Sequence, residues 1–101
     1  SSIEPGDVDD ALVAAIAAWL VAIGERPAIL SRGYARTATR RAPTVVSDGT
    51  RILTDVAHAG DEPLMLARAV PGARVVVCAE RHAAGVVAET TLGATVHVLD
   101  D

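Results

Sequence analysis

Phenylalanine is absent from this sequence, and tryptophan and tyrosine occur once each. A core must therefore be assembled from Ala, Val, Leu and Ile, whose small side chains bury little area apiece, so a modest stability is expected. A single cysteine, Cys78, excludes an internal disulfide and points to a reducing compartment. Its place in the apolar run VVVCA reads as a buried structural thiol rather than a reactive one. Positive charge is also scarce: the formal net charge is -4, which excludes a nucleic-acid binder working by phosphate neutralisation. The apolar stretch ALVAAIAAWLVAI, residues 11–23, follows acids rather than bases, so it does not read as a secretory signal. It is also shorter than the roughly 20 residues a bilayer span requires.

The 101 residues present are half hydrophobic and suit one small domain. Residues 1–10 are polar and acidic, with Pro5-Gly6 expected as a turn and Asp9 or Asp10 as a helix cap. The helix that follows, about residues 11–23, is apolar on nearly every face and is expected to be covered on more than one side. Gly24 ends it. Ala28-Ile29-Leu30 reads as a buried strand that Ser31-Arg32-Gly33-Tyr34 leaves at its C-terminal end. Residues 35–42 read as a loop. TVVSDGTRILT, residues 44–54, predicts a hairpin turning at Asp48-Gly49. A helix over residues 61–69 stops at Pro71-Gly72. A β-branched strand covers residues 73–79, as expected where both faces are buried. A helix weakened by Gly85 spans residues 80–92, and a last strand spans residues 95–101. The alternation predicts an α/β domain: a mainly parallel sheet with flanking helices and one β-hairpin. Right-handed crossovers gather the strand C-termini, and any ligand site, at one edge.

Three groups of residues carry possible chemistry. Asp100-Asp101 ends an apolar strand, the pattern of a Walker B element that orders Mg²⁺; chain-end acids in solvent give the same pattern. Asp61-Glu62, in GDEPLMLAR, fits an N-cap and first-turn acid, and equally a base acting beside a metal-bound carboxylate. Ser31, Arg32, Gly33 and Tyr34 combine a hydroxyl, a guanidinium, a permissive backbone and a phenol, which suits a phosphorylated or sugar ligand; an ordinary strand exit would also account for them. His58, His82 and His97 have no metal-ligand spacing, and none is assigned to chemistry.

WLVAIGERPAILSRGYAR, the hairpin, GDEPLMLARAVPGARVVVCAERHAAG and VHVLDD follow one another with the order and spacing of a known family. Over about residues 12–101 the chain resembles tetraacyldisaccharide 4'-kinase, the lipid A 4'-kinase. The resemblance implies a P-loop NTPase-like kinase fold. It implies transfer of the γ-phosphate of ATP, with Mg²⁺, to the 4'-hydroxyl of a tetraacyl glucosamine disaccharide, the lipid A precursor, at the cytoplasmic face of the inner membrane. It also implies Asp61 as catalytic base, Glu62 near Mg²⁺, Asp100 and Asp101 as the Walker B acids, and Tyr34 with Ser31, Arg32 and Gly33 at the lipid-sugar headgroup.

The chain departs from the family at residues 5–11. There PGDVDDA stands in place of a Gly-rich GGTGKTP loop, with Asp9 near the position of its lysine and Asp10 near that of its Mg²⁺-binding threonine. Residues 1–11 thus form an acidic segment at the P-loop position, and residues 12–101 a kinase-like region, of one partial α/β domain. The isolated chain is expected to show no kinase activity. The competing reading is a non-catalytic interaction module, self-associating through apolar surface that the 11–23 helix and edge strands leave exposed. Peripheral membrane contact is expected for the whole enzyme.

Overall fold

The computed structural model of the chain describes residues 5–32, 43–54 and 60–100. The elements are α1 (Pro5–Ala22), β1 (Pro27–Ser31), β2 (Thr44–Asp48), α2 (Asp61–Ala69), β3 (Arg74–Val77), α3 (Arg81–Thr90) and β4 (Val96–Asp100). The four strands form one sheet in the order β2-β3-β1-β4. β1 pairs in parallel with both β3 and β4, whereas β2 runs antiparallel to β3.

Alternation along the strands divides the core. Ile29, Val75, Val77 and Val98 pack with Val13 and Ala17 of α1 and Leu64, Leu66 and Ala67 of α2. Ala28, Leu30 and Val76 pack instead with Ala84 and Ala88 of α3. The sheet is therefore covered by helices on both faces, which is why residues 27–30 of β1 and 75–77 of β3 are apolar without alternation. Small partners let the layers approach: Ala17, Ala28 and Ala88 are each 0% exposed. Cys78 is buried in the same cluster as Ala28 and Ala88, as its apolar setting suggested.

Three local expectations are corrected. First, α1 begins at Pro5. Proline suits the first helical position because its φ is preset and its missing N–H has no helical partner to lose. Pro5-Gly6 is therefore not a turn, and Asp9 and Asp10 lie inside the helix rather than capping it. Second, the hairpin reduces to a single antiparallel bridge, Ser47 to Ile52. The turn itself forms: Asp48 Oδ1 accepts from the N–H groups of Thr50 and Arg51, each at 2.8 Å. Gly49 supplies the positive φ, +94°. The Leu53 N–H still donates to the Val46 carbonyl at 2.8 Å, but Ile52 and Leu53 are exposed, and among the described residues no second strand extends the arm. Third, α1 is covered on one face only, since Leu12, Ile16, Trp19 and Ile23 remain exposed. Among the described residues no helix is long and apolar enough to cross a membrane.

Candidate active site

Parallel pairing sets Ser31, Val77 and Asp100 side by side where β1, β3 and β4 end. Ser31 and Asp100 are direct register partners, and both are buried, at 6% and 3% exposure. The Cys78 N–H donates to the Ser31 carbonyl at 2.9 Å, which carries the β1–β3 ladder one residue past β3. This is the sheet edge at which open α/β folds bind ligands.

Two helices add acids to that edge. α1 contributes Asp10, and the first turn of α2 contributes Glu62. Carboxylate oxygens of Asp10, Glu62 and Asp100 all lie within 4.8 Å of one another. Asp10 Oδ1 is buried without a hydrogen-bond partner. Three converging hard oxygen donors, one of them an orphaned buried acceptor, fit a small divalent cation such as Mg²⁺.

The residues singled out from the sequence divide as follows. Glu62 and Asp100 join the cluster. Asp61 does not; it sits beside Glu62 on the first turn of α2 and is exposed. Nor is Asp61 an N-cap. Gly60 holds that position at φ 90°, and no side chain caps the helix, so Asp61 and Glu62 act on the helix only as first-turn acids. Ser31 closes β1, and Arg32 follows it, exposed. Gly33, Tyr34, Asp101 and His58 lie outside the described residues. His82 belongs to the first turn of α3, whose N-cap is Glu80, accepting from the N–H groups of His82 and Ala83. His97 lies on β4 with Nε2 3.1 Å from Glu89 Oε2. Neither histidine reaches the acid cluster. Asp10 is the site residue that sequence reasoning left out of the metal set. The signal was present, because Asp10 stands near the position of a family metal ligand.

A nucleotide phosphate fits this edge poorly. Helix runs without a break through residues 5–10, where a phosphate-wrapping loop would lie. Asp10 is directed among carboxylates, and the sequence contains no lysine, all nine basic residues being arginine.

A mainly parallel sheet flanked by helices, with acids gathered at its C-terminal edge, is an α/β ligand-binding architecture that P-loop kinases share. A crystal structure of LpxK from Aquifex aeolicus in complex with ATP superposes with a TM-score of 0.83 at 31% identity, covering 100% of this chain and 30% of that one. The family model for tetraacyldisaccharide-1-P 4'-kinase matches residues 9–101, and the chain belongs to that family. Among relatives, the tetraacyldisaccharide 4'-kinase of Anaeromyxobacter sp. (strain Fw109-5) is 51% identical over 86% of this chain. That of Geobacter metallireducens is 44% identical over 89%. The chain spans about a quarter of the length of these relatives, 23% and 26%.

Proposed function

We propose that this chain is the metal- and acceptor-binding part of a lipid A 4'-kinase, and that by itself it binds a divalent cation without turning over ATP. The observation that carries this reading is the convergence of Asp10, Glu62 and Asp100 at the C-terminal edge of the parallel sheet, in a chain of this family. In the whole enzyme the reaction would be transfer of the ATP γ-phosphate to the 4'-hydroxyl of the tetraacyl disaccharide, at the cytoplasmic face of the inner membrane.

Asp10, Glu62 and Asp100 are the residues assigned to hold Mg²⁺, with Asp101 as the second acid of the strand end. Bound Mg²⁺ neutralises charge on phosphoryl oxygens in such transfers. Asp61 is assigned to accept the proton of the attacking hydroxyl. Its exposure one residue before Glu62 supports that role, since a base must reach both solvent-borne substrate and the metal's edge. Ser31, Arg32, Gly33 and Tyr34 are assigned to the acceptor headgroup; the exposed guanidinium of Arg32, just past the buried end of β1, suits a phosphorylated sugar. ATP is the family's phosphoryl donor and the ligand of the Aquifex structure. The described residues fit its phosphates poorly, so none of them is assigned to hold it.

Calorimetric titration tests this. Mn²⁺ or Mg²⁺ should bind without nucleotide, and Asp100→Asn should remove that binding. ATP should give no heat with or without the cation. Phosphorylation of the tetraacyl disaccharide by the isolated chain, lost on Asp61→Ala, would overturn the proposal.

A further inference from the structure

At the edge of the sheet opposite the acid cluster, where β2 ends and β3 begins, there is an open cavity of about 260 Å³. Three segments line it: the turn after β2 with Thr50 and Arg51, the last turn of α2 with Ala67 and Arg68, and Pro71-Gly72. Thr50, Arg51 and Arg68 are exposed, whereas the frame behind them is fixed. Ser47 Oγ donates to the Ala73 carbonyl at 3.3 Å and accepts from the Gly49 N–H at 3.1 Å. Arg74 donates from Nη1 to the Gly72 carbonyl at 3.0 Å and from Nε to the Leu92 carbonyl at 3.1 Å. A third guanidinium thus stands behind the turn, since a Cβ added at Gly49 would lie 3.1 Å from Arg74 Cζ.

Charge collects at this turn with the sign opposite to that of the whole chain. Three of the nine arginines meet there, in a chain of net charge -4. Among the described residues that line the cavity none is acidic, and neither Arg51 nor Arg68 is in an ion pair. Asp48, the acid of the same turn, has its Oδ1 engaged by the N–H groups of Thr50 and Arg51. Three guanidinium groups against one carboxylate leave a positive excess. The C-terminal end of α2 opposes an anion, but with only about half a unit charge. We infer that this cavity is a binding site for a small phosphorylated anion, phosphate or a phosphomonoester, held by the Arg51 and Arg68 guanidinium groups with the Thr50 hydroxyl as a further donor.

Donor chemistry and size select that class. The planar fork of a guanidinium matches two oxygens of a phosphate, and two forks favour a dianion. The volume falls below the roughly 300 Å³ at which pockets for drug-sized ligands begin, so a nucleotide is too large and a short phosphorylated body fits. Ile52, Ala67 and Pro71 in the lining offer carbon surface to that body. The site is open to solvent, which screens its charges, so the affinity is low, with a dissociation constant on the order of a millimolar. The cavity and the acid cluster lie at opposite edges of the sheet, so this inference is independent of the kinase reading.

Amide NMR signals of the chain, followed during titration in phosphate-free buffer of low ionic strength, test this. Inorganic phosphate and glycerol 3-phosphate should shift the signals of Gly49, Thr50, Arg51, Arg68 and Gly72, and the shifts should saturate. Chloride at equal ionic strength should not reproduce them. Arg51→Gln and Arg68→Gln, both at exposed positions, should each raise the dissociation constant at least about fivefold with the rest of the spectrum unchanged. Asp100→Asn, at the other edge, should leave it as it is. Vesicles separate a free ligand from a lipid headgroup. Phosphatidate vesicles, which present a phosphomonoester, binding through the same two arginines while phosphatidylglycerol vesicles do not, would support the site and make the headgroup its source. Equal binding to both vesicle types, with no response to the soluble phosphates, would overturn the inference. So would shifts that chloride reproduces, or phosphate shifts unchanged in both arginine variants.

Discussion

Replacing Asp10 by asparagine should stabilise the cation-free chain and weaken its response to cation, two effects of opposite sign from one substitution. The carboxylates of Asp10, Glu62 and Asp100 lie within 4.8 Å of one another. At an effective dielectric of about 20, two unit charges at that separation repel by roughly 3 kcal/mol. Asp10 and Glu62 are only partly buried, so solvent and salt screen much of this, leaving about 1 kcal/mol for Asp10→Asn. For a chain of this size that is a rise in melting temperature of about 4–8 °C. Cation reverses the order. At about 100 times its dissociation constant a bound ion adds roughly 2.7 kcal/mol to the folded state. The wild type should then melt about 10–20 °C higher than without cation. Asp10→Asn should lose most of that gain, and Asp100→Asn should lose it all. Thermal unfolding followed by circular dichroism, with EDTA and with millimolar Mg²⁺ or Mn²⁺, reads both effects. Raising KCl should narrow the cation-free difference. Asp10→Asn that melts lower than the wild type in EDTA, with an unchanged cation shift, would refute the reasoning and leave Asp10 an ordinary helix residue.

Two further expectations concern the scaffold. A Cβ added at Gly85 would lie 3.1 Å from Cε1 of His97, so Gly85→Ala should lower stability despite the roughly 1 kcal/mol that alanine gains over glycine in a helix, and should raise it in a His97→Ala background; a denaturant-unfolding double-mutant cycle checks this, and additivity would refute it. Asp48 is held below its ordinary carboxyl value of 3.8 by backbone hydrogen bonds from Arg51 and Thr50, so its contribution is present above that value and is lost as pH falls through the lower folded-state value; Asp48→Ala should flatten the acid limb of a melting-temperature profile, and an unchanged limb would count against the turn's role.

Much of the architecture is legible because its signals are local. The apolar runs of β1 and β3, short and rich in β-branched residues, read as buried central strands, and the Asp48-Gly49 turn forms as its residues require. What escaped the sequence depends on distant neighbours. Nothing in TRILT says that Ile52 and Leu53 stay exposed, so the sequence alone does not show that the hairpin's second arm is short. Nothing in the apolar pattern of residues 11–23 says which face the sheet takes and which stays open. The start of α1 was misjudged for another reason. Asp9 and Asp10 are good caps, but Pro5 is a better first helical residue, and the longer helix adds a turn. Of the three acids that converge, Glu62 and Asp100 are the two the resemblance implies, while Asp10 becomes a ligand candidate only once α1 and α2 are docked on the same face of the sheet.

That displaced helix start bears directly on the chemistry. A helix binds phosphate through the N–H groups of its first turn, which have no intrahelical acceptor. With the helix starting at Pro5, which has no N–H, those groups belong to Gly6 and Asp7. The N–H groups of Asp9 and Asp10, at the positions where a phosphate-binding lysine and threonine are expected, fall to the helix's own carbonyls one turn back. The same register that aims the Asp10 carboxylate at Glu62 and Asp100 therefore removes the backbone donors a nucleotide would use. The acids then add repulsion for phosphate and attraction for a cation. On the proposed reading, the fold and the acid cluster persist in a member of a kinase family while the nucleotide cradle does not. Restoring ATP binding would then require rebuilding the backbone of residues 5–10 as a loop, because exchanging Asp9 for lysine alone would return the charge without the amides.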